Sequence, residues 1–159
     1  MIIRPADKSD SNRILDIYRQ GIETRNATFE TEVPDWETWD ALHHSFCRLV
    51  YEENGTVMGW AALSPVSRRL CYRGVAEVSI YIDAARRGRG IGGRLLKTLI
   101  AESEKHGIWS LNASIFAENR STHRLHLRHG FREVGFRERI AQLDGIWRDT
   151  LILERRSDI

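Results

Sequence analysis

Four glycines fall within six residues in the stretch Arg87-Gly88-Arg89-Gly90-Ile91-Gly92-Gly93, and no other stretch constrains the chain as much. Before it runs Val75-Ala76-Glu77-Val78-Ser79-Ile80-Tyr81-Ile82-Asp83. Its alternation predicts a strand with Glu77, Ser79 and Tyr81 on one face and Val78, Ile80 and Ile82 on the other. After it, Ile91, Leu95, Leu96, Leu99 and Ile100 form one apolar stripe. That stripe predicts a helix from Ile91 to His106, closed by Gly107. A strand that reaches a helix through a loop with so few side chains leaves backbone N–H groups open at the helix N-terminus. Such a loop binds anions, phosphate above all.

The other elements can be placed in order. Ile2-Ile3-Arg4 predicts a short strand, and Asp7, Ser9 and Asp10 offer caps for a helix carrying Ile14, Leu15, Ile17 and Tyr18, with Gly21 near its end. Residues 23–33 lack a period and read as a loop with a helical turn in it. Pro34-Asp35 starts a second helix with Trp36, Trp39, Leu42 and His43. Arg48 to Glu52 and Val57 to Leu63 predict strands joined by Asn54-Gly55, two residues that tolerate positive φ. Ser64 to Arg73 is a polar, basic loop. Trp109 to Phe116 predicts a strand, and Asn119 to His129 a short basic helix stopped by Gly130. Phe131 to Phe136 is a further strand, and Asp144-Gly145 turns the chain into a last one, Trp147 to Glu154. The order βααβββαβαββ describes one α/β domain over residues 1–155, with a mixed, mostly antiparallel sheet flanked by helices. Residues 156–159 read as a frayed tail.

Composition excludes several function classes. No apolar run reaches the roughly 18 residues of a membrane helix, and the N-terminus reads as a strand rather than a leader. With 24 basic and 22 acidic residues the net charge is +2, too balanced to point at nucleic acid, and no stacking-aromatic pattern accompanies it. The positive charge is instead clustered, at Arg68, Arg69 and Arg73, at Arg86 to Arg94, and at Arg120 to Arg128. Two of these runs open predicted helices, which favours a polyphosphate ligand over a merely solvated surface. Cys47 and Cys71 stand apart, which suggests two buried, reduced thiols in a cytoplasmic protein.

Gly88-x-Gly90-x-x-Gly93 also fits the letter of the dinucleotide-binding fingerprint. That fold places its loop after the first strand and needs an acidic residue at the end of the next. Here the loop follows the fourth predicted strand, and Ser110 to Phe116 holds no acid. No G-x-x-x-x-G-K-[ST] occurs, which excludes an ordinary P-loop nucleotidase. Arg87-x-x-Gly90-x-Gly92 instead resembles the Q/R-x-x-G-x-G/A signature of the GNAT superfamily of acetyl-CoA-dependent N-acetyltransferases. Asn119, Thr122, His126 and Gly130-Phe131 resemble a second segment of that family, at the right separation. Ala76 to Ile82, Thr28-Phe29-Glu30, Tyr72-Arg73 and Gly145-x-Trp147-x-Asp149 look like its phosphinothricin acetyltransferase subgroup. Those enzymes acetylate the α-amine of phosphinothricin, methionine sulfoximine or methionine sulfone, and are typically homodimers.

The resemblance implies acetyl-CoA as cosubstrate, a small-molecule amine as acceptor, and no metal. Amides from Gly88 through Arg89, Gly90, Ile91 and Gly92 to Gly93 would hold the pyrophosphate, with Arg87 and Arg89 adding charge. Ile80, Tyr81 and Ile82 would pair with the pantetheine arm, one N–H facing the thioester carbonyl. Asn119, with Thr122, would hydrogen-bond the cofactor, and Asn119 equally suits a helix cap. Glu77 is the candidate general base: a carboxylate in an otherwise apolar strand is either a base or the partner of an arginine. His126 stands where many members have a tyrosine credited with protonating the thiolate; it either donates that proton or only hydrogen-bonds the cofactor. His123, His126 and His129 have a spacing that invites a metal, but Arg120, Arg124 and Arg128 would repel a cation.

For the acceptor's carboxylate, Arg73 beside Tyr72, and Arg69, are candidates, since arginine forks match carboxylates. Phe29, Glu30 and Trp147 would wall the pocket, with Val78 and Ser79 at its border. Val78 stands where the herbicide-inactivating enzymes usually have histidine, and Ser64 to Leu70 lacks their tryptophan-containing stretch. The same motifs would suit transfer to a polyamine, an aminoglycoside or a protein N-terminus. They would also suit a module that senses acetyl-CoA without transfer. The arginines between Arg68 and Arg73 disfavour cationic acceptors, and Glu77 disfavours the sensor.

Overall fold

Asn54 and Gly55 adopt φ of +51° and +76° and fold two strands back on each other, as their residue types require. The computed structural model describes residues 1–159. The strands are β1 (Ile2–Pro5), β2 (Leu49–Glu53), β3 (Thr56–Pro65), β4 (Val75–Ile82), β5 (Ser110–Phe116), β6 (Arg132–Leu143) and β7 (Ile146–Arg156). The helices are α1 (Ser11–Glu23), α2 (Trp36–Leu42), α3 (Ile91–Lys105) and α4 (Arg120–Arg128). All seven strands form one sheet in the order β1-β2-β3-β4-β5-β7-β6. Element order and mixed sheet agree with the expectation from sequence; only β4 and β5 run parallel.

Period-two alternation gives the sheet two unlike faces. One carries Ala61, Leu63, Ala76, Leu111, Ala113 and Leu153 against the Leu95, Leu96 and Leu99 stripe of α3. The other carries Val50, Trp60 and Ala62 against Ile14 and Ile17 of α1 and Trp39 of α2. Gly21 lies near the end of α1, as expected. It is buried where an added Cβ would lie 2.5 Å from the Tyr81 ring, so α1 approaches β4 closely only because Gly21 is bare.

The feature that positions the site is a failure of pairing. β4 and β5 meet only at Val75–Ser110, Ala76–Leu111 and Glu77–Asn112. Beyond Glu77, β4 stays bonded to β3 as far as Ile82, and β5 stays bonded to β7 as far as Phe116. Their facing edges diverge, and the backbone groups along them have no strand partner.

Three expectations are corrected. β6 runs on to Leu143 instead of ending at Phe136; its register shifts at Glu133/Gly135 and Arg137/Ala141 break the alternation that would have revealed it. The bulge is held by Arg139, at φ +48°, whose N–H donates to Asp149 Oδ1 at 2.7 Å. The tail is not frayed at its start, because Ser157 is buried and its hydroxyl donates to Glu104 Oε1 at 2.8 Å. Cys47 is buried as expected, but Cys71 lies exposed in a 3-10 turn.

Candidate active site

The glycine loop is rooted on α1. Asp83, the last residue before it turns, accepts hydrogen bonds from Ala85 N–H at 2.9 Å, from Arg13 and from Gln20. Burial alone would raise the Asp83 pKa; the Arg13, Ala85 and Gln20 bonds outweigh it and hold the carboxyl below its ordinary value. Gln20 Oε1 accepts from Ala84 N–H at 2.7 Å. Beyond this root, Gly88 and Gly90 take φ of +77° and +76°, and an added Cβ at either would meet nothing within 4 Å. Backbone conformation, not crowding, demands glycine there, and the space beside them is open.

Gly90 is the N-cap of α3 and offers no side chain to it, whereas Asp35 and Asn119 cap α2 and α4. Arg94 N–H is the first to find an intrahelical acceptor, Gly90 O at 3.2 Å. The N–H groups of Ile91, Gly92 and Gly93 therefore sit at the positive end of the helix dipole without partners inside the helix. Arg87 and Arg89 are exposed beside them. These residues fit a polyphosphate such as the pyrophosphate of coenzyme A.

Glu77 stands at the last paired position before β4 and β5 part. Ser79 and Tyr81 follow on its face, and Ile80 to Ile82 line the free edge. Val78 points to the other face, against the α3 core, and does not face Glu77. The Glu77 carboxylate meets solvent yet is hemmed by protein. Burial raises its pKa, opposed by the charge of Arg137. Near it the Tyr81 ring packs on Tyr18 at 4.8 Å and on Trp60 at 4.9 Å. Burial pushes the pKa of both tyrosines up, with the Thr28 hydroxyl and the Glu30 carboxylate as neighbours of both.

The loop after α1 is clasped to the other side of the gap. Asn119 Nδ2 donates to Asn26 O at 3.0 Å, while its Oδ1 accepts from Thr122 N–H at 3.2 Å. Arg148 donates to Arg25 O at 2.8 Å and to Asn26 Oδ1 at 3.2 Å, and its guanidinium covers the Phe116 ring at 4.1 Å. Phe29 meets Phe116 edge-on at 4.8 Å. So Phe29 and Glu30 join Glu77 and Tyr81 in one site.

Residues 12–131 match the model of the acetyltransferase (GNAT) family. The chain belongs to that family. It is similar to YwnH of Bacillus subtilis (strain 168), a protein named provisionally as a phosphinothricin acetyltransferase, with 37% identity over 98% of each chain. It is 29% identical to the L-methionine sulfoximine/L-methionine sulfone acetyltransferase of Salmonella typhimurium, over 99% of this chain and 95% of that one. Among solved structures, a GNAT phosphinothricin acetyltransferase from Sinorhizobium meliloti in complex with acetyl-CoA superposes with a TM-score of 0.89 at 29% identity, over 98% of this chain and 87% of that one. A ribosomal-protein-alanine N-acetyltransferase from Brucella melitensis superposes with a TM-score of 0.91 at 31% identity, over 99% and 100%. As a GNAT protein the chain is an acetyl-CoA-dependent N-acetyltransferase.

Within this GNAT site His126 is only 4% exposed. Its Nδ1 lies 2.8 Å from Thr122 O, an acceptor, so Nδ1 carries the proton. Nε2 is then a bare lone pair, buried without a partner. Burial lowers the His126 pKa, which keeps the ring neutral at neutral pH. Of its neighbours, His129 bonds Leu125 O at 2.8 Å. His123 lies against Glu133, at an angle too poor for a hydrogen bond.

Not every residue expected in the site converges on it. Arg69 stacks on Tyr72 at 5.6 Å, and Arg73 on Trp109 at 5.4 Å. Trp147 alternates to the face opposite Arg148 and stacks with Arg139 at 5.4 Å, apart from Phe29. The sequence reading missed Arg137 and Arg148. Both lie in the irregular β6–β7 hairpin, and their only signal was a high local density of arginine. A cleft of about 440 Å³ elsewhere, between β1 and α3, is lined in part by Cys47, Glu102 and His106. Burial pushes its Cys47 thiol up to about 11, so it offers no nucleophile.

Proposed function

We propose that this N-acetyltransferase acts on the α-amine of a small amino acid or analogue, of the phosphinothricin, methionine sulfoximine or methionine sulfone type, with Glu77 as general base. One observation carries the reading: a carboxylate with no ion pair and with its pKa raised by burial stands where β4 and β5 part. A base for an ammonium group needs a raised proton affinity and a free lone pair, and Glu77 has both. Acetyl-CoA supplies an acyl carbonyl activated as a thioester. The chain does the rest. Amides from Gly88 to Gly93, with Arg87 and Arg89, bind the pyrophosphate. The free edge at Ile80, Tyr81 and Ile82 aligns the pantetheine arm, and one of its N–H groups donates to the carbonyl oxygen as charge develops there. Glu77 removes the proton from the acceptor's ammonium. The freed amine adds to the acetyl carbonyl, the C–N bond forms as the C–S bond breaks, and the second amine proton goes to the departing thiolate.

His126, being neutral, serves this reading as a cofactor contact through Nε2 rather than as the proton donor. Asn119 and Thr122 hold the acceptor loop against the cofactor side. Phe29, Glu30, Ser79 and Tyr81 shape the acceptor pocket. Val78 and Trp147 act through packing. The second reading is a protein N-terminus as acceptor, favoured by the Brucella melitensis likeness.

Thiol release from acetyl-CoA, measured against methionine sulfone, methionine sulfoximine, phosphinothricin, spermidine and an N-terminal alanine peptide, separates these readings. Preference for the peptide would overturn the amino-acid assignment. We further propose a homodimer through β6, an edge strand with Val134, Phe136 and Ile140 exposed; a monomeric mass by light scattering would refute it. The exposed, unpaired Cys71 suits a reducing compartment such as the cytoplasm.

A further inference from the structure

Strand register brings together two charges that are far apart in sequence. Residues directly opposite in a sheet share a face, as do residues two apart in one strand. Glu77 opposes Asn112 in β5. Asn112, Ser114 and Phe116 therefore lie on the Glu77 face. Phe116 opposes Thr150 in β7, and Thr150 opposes Arg137 in β6. Arg137 thus projects from the same face as Glu77, across the gap that β4 and β5 leave.

The surroundings leave this arginine free. It enters no ion pair, and two carboxylates of the neighbouring strands and turn are taken: Glu154 pairs with Arg132 at 2.9 Å and Glu118 with Arg148 at 3.3 Å. Between Arg137 and the Phe116 ring, the Thr150 hydroxyl is buried with no hydrogen-bond partner. A free guanidinium, a free hydroxyl and a free carboxylate thus share one face beside the Phe29–Phe116 pair. The charge of Arg137 is already felt at Glu77. Arg69 and Arg73 face other work, stacked on Tyr72 and Trp109, and Arg73 also donates to Leu70 O at 3.4 Å.

We propose that Arg137 is a specificity-determining residue that binds the carboxylate of the acceptor. Glu77 and Arg137 then read the two ends of an α-amino acid zwitterion, ammonium at Glu77 and carboxylate at Arg137. The inference rests on the amino-acid reading above and names the group that selects for it. Arginine suits the task because its planar fork meets a carboxylate through two parallel hydrogen bonds.

The test is the ratio of kcat/KM for methionine sulfone to that for its carboxamide, in which the anion is gone. Wild type, Arg137→Gln, Arg137→Lys and Arg73→Gln are compared, with thermal melts confirming that each is folded. Any effect of Arg137 on the basicity of Glu77 cancels in this ratio. Arg137→Gln lowers the ratio about tenfold or more, the loss expected for a charge-assisted hydrogen bond, and Arg137→Lys restores part of it. An unchanged ratio in Arg137→Gln, or a collapse confined to Arg73→Gln, overturns the inference and leaves amino-acid transfer standing. Wild type that acetylates neither compound, yet does acetylate spermidine or a peptide, overturns the amino-acid reading, and the inference falls with it.

Discussion

The two sides of the gap between β4 and β5 are built by opposite means. The proposed pyrophosphate cradle is one continuous piece of chain, Asp83 to Arg94, and offers mainly backbone N–H groups. The proposed acceptor side is assembled from α1, the loop after it, β4, β6 and β7, and the groups it offers are side chains. Backbone amides look alike whatever the residue, so a site made of them can bind one constant ligand through many sequence changes. Side chains brought from five segments can be exchanged one at a time, which lets the acceptor vary within a family whose cofactor does not. Mutations on the two sides should therefore separate acceptor kinetics from acetyl-CoA binding.

The largest effect expected is at Glu77. Glu77→Gln should lower kcat by about 10²–10⁴-fold while acetyl-CoA binding, measured by calorimetry, stays intact. Equal loss of both would make Glu77 structural and break the comparison. Because burial raises the Glu77 pKa, the acid limb of kcat/KM should lie above the ordinary glutamate value, with activity lost as pH falls through it. Arg137 opposes that shift, so Arg137→Gln should move the limb further up. A limb at the ordinary value would remove Glu77 from the role.

Arg148→Ala comes next. It frees the loop held at Arg25 and Asn26, and about 1–2 kcal/mol of lost hydrogen bonding should raise the acceptor KM by about 5–30-fold. The acetyl-CoA KM should not follow; if both rise together, the loop serves the two sides alike. Gly90→Ala is smaller and falls on the other side. Its φ of +76° costs alanine about 1 kcal/mol, so acetyl-CoA should bind about fivefold more weakly, with the acceptor KM unmoved.

The smallest effect is expected at His126. A proton donor there would have to be charged, and burial lowers the His126 pKa, which disfavours that charge at neutral pH. His126→Gln should weaken acetyl-CoA binding about threefold and leave the shape of the kcat profile unchanged above neutrality. Loss of a basic limb in the variant would instead make His126 the acid.

Several features were legible in the chain itself. Asn54-Gly55 turns where its residue types demand it. Glu77, Ser79 and Tyr81 share a face because a strand alternates. Gly88 and Gly90 stand where positive φ was needed, and the bare start of α3 follows from a helix that opens on Ile91, Gly92 and Gly93. Each of these rests on neighbours within a few residues, where propensity, period and backbone sterics act without help from the rest of the fold. The divergence of β4 and β5, the convergence of Arg137 on Glu77, the clasp of Arg148 on the loop after α1, and the single tautomer of His126 had no such local signal. They depend on which strands pair, where a bulge shifts the register, and how deeply a ring is buried. Those are set by contacts between segments up to a hundred or so residues apart. Sequence alone therefore determined the glycine loop with its bare helix start and the order of the elements. Only the tertiary structure decided which side chains share the face beside the gap between β4 and β5, because that choice is made by strand register and packing, not by any local pattern.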